Sequence, residues 1–291
     1  MFVQLLISGI VLGCIYGLIA LGYSLIYKAS GLMSFMQGDI LTLGAFLGIA
    51  FYRYMKLPFF ISLFLTVAVA FVLGLILERG VIRPLLQKTG GAAIYVVLAT
   101  ISISYVVQNG AQILWGSTPL PFPPIFSVGT IEIFGVTMQS EALLCVVVSL
   151  IFMILIHFFM VKTKLGTAMR AAAMDPMAAR SCGINVSFST GITWGISAGL
   201  AAVAGILIGP IYGVYTTLGA VIGRKGFSGA VIGGYGNMYG AIFGGIILGL
   251  VETFVASYSS VYKNLVAYVL LLIFLFIKPT GIFDEKAIQD V

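Results

Sequence analysis

The sequence contains few charged residues. Only 8% of the 291 residues are Asp, Glu, Lys or Arg, whereas soluble globular chains carry about 25%. Hydrophobic residues make up 60%, the mean hydropathy is +1.15, and apolar runs of about 20 residues, enough to cross a ~30 Å bilayer core, recur along the chain. Spanning segments must satisfy their own backbone hydrogen bonds, and these runs are too long for alternating barrel strands. The composition excludes a soluble protein and predicts an all-α polytopic membrane protein, with residues 1–291 forming one transmembrane domain.

Motifs for catalysis and cofactor binding are missing as well. The sequence has no GxxxxGK[ST] phosphate-binding loop, no HExxH helix, no paired-cysteine motif and no GxSxG nucleophile turn. Its three cysteines are isolated and it has one histidine, so no metal site is indicated. We therefore expect no enzyme activity, no catalytic residue and no bound cofactor or metal. Two carboxylates, Asp39 and Glu252, fall within apolar runs, which leaves a proton-coupled carrier acting alone as an alternative.

Basic residues determine the predicted orientation. The net charge of +6 sits mostly at segment ends, where it meets the lipid bilayer, and does not indicate nucleic-acid binding. The basic loops 79–88 and 162–180 and the tail should be cytoplasmic, whereas the proline-rich loop 116–140 has no basic residue and should be external. The recognisable spans fit these positions only if one more crossing, short and broken, lies within 211–234. We predict about nine crossings, in a range of eight to ten, with the N-terminus outside and the C-terminus in the cytoplasm.

The segment 162–186 is a polar, cationic stretch between two apolar spans, with four basic residues and one acidic residue giving a charge of +3. Thr167 is the predicted N-cap of a first short helix. Asp175, followed by proline, should start a second helix, and Gly183 should end it in the left-handed conformation. The pattern predicts a small helical platform held between two spans. An ordinary positively charged cytoplasmic loop is the alternative.

A few polar side chains fall inside apolar spans. Gln37 and Asp39 flank a glycine early in the second span, which indicates a broken or re-entrant helix start facing protein or a cavity. An interfacial position for Asp39 is the alternative. Gln108 and Asn109 lie toward the far end of the fourth span, where hydrogen bonds between helices would also explain them. Lys225 lies in the broken region 211–234.

Four stretches together resemble the inner-membrane permeases of branched-chain amino acid ABC transporters, over nearly the full chain. They are SGIVLGCIYGLIALGYSLIY with GLMSFMQGDILTLGAF, VVLATISISYVVQN, GTAMRAAAMDPMAARSCGIN and GRKGFSGAVIGGYGNMYGAIFGGIILGLVE. In the first stretch Gln37 and Asp39 stand where the family's NFAHGE-like turn has His and Glu. The resemblance implies a type II ABC importer-like permease fold. It also implies a second, related permease subunit, two cytoplasmic ATPase subunits that use the ATP, and an external substrate-binding protein.

The same resemblance implies roles for particular residues. The segment 162–186 would be the cytoplasmic coupling loop that docks the ATPase, and its contact surface would comprise Arg170, Ala171, Asp175, Ala178, Ala179, Arg180 and Gly183. The substrate path would be lined by Gln37, Asp39, Gln108, Asn109 and Lys225. The expected function is import of branched-chain or other apolar amino acids. Permeases for urea, amides or aromatic acids, and an ion- or proton-coupled secondary transporter, remain the alternatives.

Overall fold

The computed structural model describes residues 2–90, 92–126, 129–133 and 136–283, and this part of the chain is almost entirely helical. The helices run Phe2–Ser30 (α1), Gln37–Ile49 (α2), Phe59–Leu77 (α3), Arg83–Lys88 (α4), Ala93–Trp115 (α5), Ser140–Lys162 (α6), Lys164–Met174 (α7), Pro176–Ser181 (α8), Val186–Tyr212 (α9), Leu218–Gly233 (α10), Met238–Tyr258 (α11) and Lys263–Ile277 (α12). A π-helical turn, Ala50–Tyr54, extends α2, and a second one, Glu78–Ile82, joins α3 to α4.

A short antiparallel hairpin lies between α5 and α6. Its strands are Thr130–Ile133 (β1) and Val136–Gln139 (β2), with Thr130 paired to Gln139. The preceding loop is tied to the α9–α10 connection by a bridge between Leu120 and Val214. We call this end of the bundle the hairpin end, and the opposite end, which carries α7 and α8, the platform end. The described part of the predicted loop 116–140 therefore contains a hairpin and is attached to the bundle through Leu120.

Apart from α6, the helices of the bundle form two groups of four, and each helix of the second group runs opposite to its counterpart in the first. In the first half, α1 runs from the hairpin end to the platform end, α2 and α5 run toward the hairpin end, and α3 runs away from it. In the second half, each of the corresponding helices α9, α10, α11 and α12 runs the opposite way. Helix α1 packs antiparallel to α11, with Gly13 against Ile246, and α9 packs antiparallel to α3, with Gly195 against Phe71. The halves form an inverted repeat, and α6 with the platform connects them.

The first helix of each half forms the centre of the bundle. Of the spanning part of α9, 94% is buried, and 72% of that of α1, against 11% for α5. Close approach of α1 to α11 depends on small residues, because a Cβ atom on Gly13 would lie only 2.7 Å from the Cα of Ile246. Gly13 therefore marks a contact of backbone against backbone between α1 and α11.

The number of crossings agrees with the sequence prediction. By length and composition, six helices of the described chain could span a membrane, and α12 is apolar but shorter. Helices α2 and α10 are also short, at 13 and 16 residues, and both begin inside the bundle. With these three, nine helices in the described residues make up the bundle, and the short, broken crossing expected within 211–234 is α10. The polytopic all-α fold is thus confirmed, apart from the one hairpin.

One local prediction needs correction. Helix α7 begins at Lys164, because Thr163 is extended and its hydroxyl accepts a hydrogen bond from the Gly166 N–H; Thr167 lies inside the helix. Helix α9 contains Pro210 and continues to Tyr212. A proline this close to a helix C-terminus disturbs only the last turn.

Candidate functional site: the half-helix junction and the platform

The N-termini of α2 and α10 meet inside the bundle. A Cβ atom on Gly38 would lie 3.1 Å from the Cα of Gly223 and closer still to the Gly219 carbonyl, so the crossing requires glycine. The Gly219 N–H donates to the Thr42 hydroxyl at 2.8 Å, which joins the two helices. Helix N-termini carry partial positive charge, and non-helical backbone at membrane depth persists where it is buried or lines a cavity.

A cavity of about 400 Å³ lies beside this junction. Its volume falls in the ~300–1,000 Å³ range of small-molecule sites. Helices α1, α2, α5 and α10 and the α1–α2 connection all contribute to its wall. The polar side chains in the wall include Asp39, Ser104, Gln108 and Arg224. Most of the remaining wall is aromatic or aliphatic, so the cavity combines an apolar lining with a few charged groups.

Asp39 is the buried charge of this cavity. Its side chain lies in the first turn of α2 and the residue is only 6% exposed. One carboxylate oxygen, Oδ2, accepts a hydrogen bond from the Ser104 hydroxyl at 2.5 Å. The other oxygen, Oδ1, has no hydrogen-bond partner within the described part of the chain. Asp39 therefore binds Ser104 of α5 through one carboxylate oxygen, and its other oxygen can accept a hydrogen bond from a further donor.

The other predicted path residues lie in different surroundings. Gln108 lines the cavity, whereas Asn109 is exposed and its Nδ2 donates to the Tyr105 carbonyl of the preceding turn. Gln37 is buried, and its Nε2 donates to the Ser197 carbonyl at 2.6 Å, which ties α2 to α9. The structure thus brings Asp39 and Gln108 together in one cavity, places Gln37 in helix packing nearby, and leaves Asn109 on the outer surface of α5.

Lys225 belongs to a separate buried network. Its Nζ lies 2.7 Å from Oε1 of Glu252, and the two side chains are 4% and 0% exposed. The Tyr16 hydroxyl donates to Oε2 of Glu252 at 2.9 Å, and Lys263 lies 3.9 Å from Oε1. The neighbouring Arg224, and not Lys225, faces the cavity. Sequence reasoning missed Arg224, although its place in the broken helix was a usable signal.

An aromatic cluster extends from the cavity toward the platform end. Phe227, which lines the cavity, contacts Phe35, Tyr23 and Tyr235 at centroid distances of 5.4, 5.6 and 5.6 Å. Tyr235, which follows α10, continues the cluster to Tyr27 near the end of α1 at 4.7 Å. The cluster therefore connects the ends of α1 and α10 on the platform side of the junction.

The platform consists of α7 and α8 joined at an extended residue. Asp175 Oδ1 accepts hydrogen bonds from the N–H groups of Met177 and Ala178, at 2.8 and 3.0 Å, and so caps α8 as the sequence predicts. Gly183 ends the platform with φ of +80°, as expected. Helix α7 packs on α1, α6 and α9. The platform is therefore attached directly to both central helices.

The exposed face of the platform differs in part from the predicted contact surface. Arg170, Asp175, Ala178, Arg180 and Gly183 are exposed, and Ala171 is half-buried. Ala179 is only 4% exposed because it faces the bundle, so its side chain forms no part of the outer surface. Two methionines that the sequence did not single out, Met174 and Met177, are 77% and 78% exposed.

A polytopic bundle built as an inverted repeat, with a cavity at two half-helix N-termini and an exposed helical platform, has the architecture of a membrane permease. The model of the family described as "Branched-chain amino acid transport system / permease component" matches residues 5–275. The chain belongs to this family.

Individual relatives agree with this assignment. The chain is 31% identical to the high-affinity branched-chain amino acid transport system permease protein LivH of Escherichia coli K12, covering 100% of this chain and 98% of that relative. It is 32% identical, with the same coverage, to the permease protein BraD of Pseudomonas aeruginosa. A probable LivH of Methanocaldococcus jannaschii is 27% identical over 75% of this chain and 73% of its own length.

One solved structure shares the fold. PsaBC from Streptococcus pneumoniae, solved in complex with a Fab, aligns with a TM-score of 0.51 at 16% identity, covering 94% of this chain and 91% of that one. At this identity the likeness concerns the fold alone. Family membership makes the chain a transport component and favours the permease over a carrier that acts alone.

Proposed function

We propose that this chain is the permease subunit of an ATP-driven importer and forms the membrane path for branched-chain or other apolar amino acids. The full-length similarity to LivH and BraD supports this solute class. The structural observation that carries the proposal is the attachment of an exposed platform to α1, which lines the junction cavity, and to α9, which packs on the cavity helix α2. Movement of the platform can then reach the cavity through the centre of the bundle.

The platform would contact two cytoplasmic ATPase subunits, one per permease, which bind and hydrolyse the ATP. Its surface suits such a contact, because two exposed methionines adapt to an apolar groove and Arg180 can pair with acidic side chains. This orientation puts the platform end and the C-terminus in the cytoplasm and the N-terminus outside. The hairpin end would then receive an external substrate-binding protein, and the membrane would be a bacterial or archaeal plasma membrane.

A second, related permease subunit would pack on α5. This helix is the least buried of the six long spans, and Ile113 and Leu114 are 84% and 74% exposed. The cavity lies against α5, which contributes Ser104 and Gln108 to its wall. A partner on this face would place the cavity near the interface between the two permeases.

Reconstitution tests this function. Proteoliposomes that contain the complete transporter should take up radiolabelled leucine only with ATP and binding protein. Ala178→Trp, on the exposed face of α8, should release the ATPase and lower uptake about tenfold or more, because a large ring separates the docking surfaces. Gln87→Trp, at an exposed position of α4 on the same end, should have no effect. Ala179→Trp is unsuitable, because the buried side chain would disturb the platform itself.

Several outcomes would contradict the proposal. Uptake that continues without ATP but stops when an ion or proton gradient is removed would establish the secondary transporter. Uptake that is inhibited by urea, amides or aromatic acids, and not by leucine, isoleucine or valine, would show that the inhibiting compounds, and not branched-chain amino acids, are the solutes. Normal ATP-driven uptake by the Ala178→Trp variant would show that the platform does not contact the ATPase.

A further inference from the structure

We propose that the junction cavity recognises the zwitterionic head group of an α-amino acid. In this arrangement Asp39 accepts hydrogen bonds from the α-ammonium group, while Arg224 and the first turn of α10 bind the α-carboxylate. The inference rests on the proposed function and adds which part of the solute the permease itself selects. The solute side chain would be selected elsewhere.

The free oxygen of Asp39 points to a cationic ligand. Asp39 is 6% exposed and lines the cavity, and within the described residues its Oδ1 lacks a hydrogen-bond partner. A buried acceptor left unpaired costs about 1–3 kcal/mol, and more when it is charged. The hydrogen bond from Ser104 to Oδ2 holds the carboxylate in place. An ammonium group, which has three donors and no acceptor, matches this position.

The opposite charge lies in the same wall. Arg224, in the second turn of α10, lines the cavity together with Gly219 and Ala220 of the first turn. No ion pair joins Arg224 to Asp39 among the described residues. Arginine and a helix N-terminus both favour carboxylates. The cavity wall thus carries two opposite charges that no ion pair joins among the described residues, and a molecule with adjacent ammonium and carboxylate groups would neutralise both.

The rest of the cavity fits an apolar side chain. Phe35, Ile101 and Phe227 line it, and the rings of Phe35 and Phe227 are in contact. These groups offer no hydrogen bonds that would distinguish one aliphatic side chain from another. The permease should therefore select the head group, whereas uncharged amides and urea would leave both charges unpaired.

Binding measurements with matched ligands test this assignment. The permease complex would be purified in lipid nanodiscs, and binding would be measured by saturation-transfer NMR with three probes. They are leucine, isocaproate, which lacks the ammonium group, and isoamylamine, which lacks the carboxylate. Each analogue should bind about tenfold or more weakly than leucine, because each leaves one charged side chain unpaired.

Variants assign each head-group charge to its residue. Asp39→Asn should weaken leucine binding about tenfold or more and should not weaken isocaproate binding, because the unpaired carboxylate is gone. Arg224→Gln should weaken leucine binding similarly and should not weaken isoamylamine binding. Asp39→Glu should retain leucine binding, and Arg53→Gln, an exposed arginine at the hairpin end, should change none of the three. If Asp39→Asn fails to assemble, Arg224→Gln decides alone, because Arg224 is exposed and its loss leaves packing intact.

The proposal is overturned if wild type binds no leucine, if the three probes bind equally, or if a variant weakens all three to the same degree. That last result would mean a structural role. These measurements use neither ATP nor uptake. Head-group-selective binding in a complex whose uptake does not depend on ATP would contradict the proposed function but support this inference. ATP-driven leucine uptake without such binding would support the proposed function and contradict this inference.

Discussion

Removing the carboxylate of Glu252 should destabilise the protein by about 3–5 kcal/mol, the usual cost of leaving one member of a buried ion pair alone. Glu252→Gln keeps the size of the side chain but leaves the Nζ of Lys225, now 2.7 Å from the carboxylate, without a counter-charge. Lys263, 3.9 Å from the same oxygen, would then add repulsion between two cations.

The reverse substitution should cost less. Lys225→Met leaves Glu252 with the hydrogen bond from Tyr16 and the nearby charge of Lys263, so we expect a loss of about 1.5–3 kcal/mol, the range for one hydrogen bond to a charged group. The double variant should be more stable than Glu252→Gln alone, because it buries no unpaired lysine. The expected coupling between the two sites is about 2–3 kcal/mol.

The free energy of unfolding in mixed micelles provides the measurement. Trp194 is buried in α9 and reports on the core through its fluorescence. Assembly is checked by gel filtration before each unfolding curve. Additive effects, or a cost for Glu252→Gln below about 1 kcal/mol, would refute the assignment of this pair as a charge-paired element of the bundle.

Three further predictions follow from other contacts. Gly13→Ala should lower the thermal midpoint through a cost of about 1–3 kcal/mol, because the new Cβ meets the α11 backbone, whereas Gly110→Ala, with open space around it, should not. Phe227→Ala should raise leucine leakage from loaded proteoliposomes severalfold, because it opens the aromatic cluster, whereas Phe60→Ala, at an exposed position of α3, should leave leakage unchanged. Asp175→Ala should destabilise α8 by about 0.5–2 kcal/mol through the lost cap, seen as faster hydrogen exchange, and Asp175→Asn should restore protection.

Each of these has a clear contrary result. Equal midpoints for the two glycine variants would mean that α1 and α11 can separate at little cost. Unchanged leakage in Phe227→Ala would remove the cluster from the solute route. Unchanged exchange in Asp175→Ala would mean that packing, and not the cap, holds α8.

Much of the helical architecture could be predicted because lipid imposes strong rules. Helix α3 is a continuous apolar run that contains no charged residue, and such a run of 19 residues in a membrane protein can only be a helix. The hydrophobic pattern of the broken crossing α10 is weaker than that of α3. Its presence could still be predicted, because the positions of the basic loops require an odd number of spans. The inverted order of the two halves left no such signal, because it arises from contacts between distant helices.

The details of the sites depended on neighbours that the sequence does not show. Thr163 and Thr167 are equally suitable caps, and the choice between them follows from where α6 ends. Ala178 and Ala179 are adjacent in a six-residue helix, and packing against the bundle alone decides that Ala179 is buried. Arg224 and Lys225 are also adjacent. Arg224 lines the cavity and Lys225 pairs with Glu252, and this difference follows from the packing of α10 against its neighbours.

The glycine contact between α1 and α11 has a mechanical consequence. Where two backbones touch without intervening side chains, no rotamers can rearrange to absorb a small displacement. We therefore expect the two helices to move together as one unit. Since α7 rests on α1, a displacement of the platform would also move α11, which runs to the hairpin end.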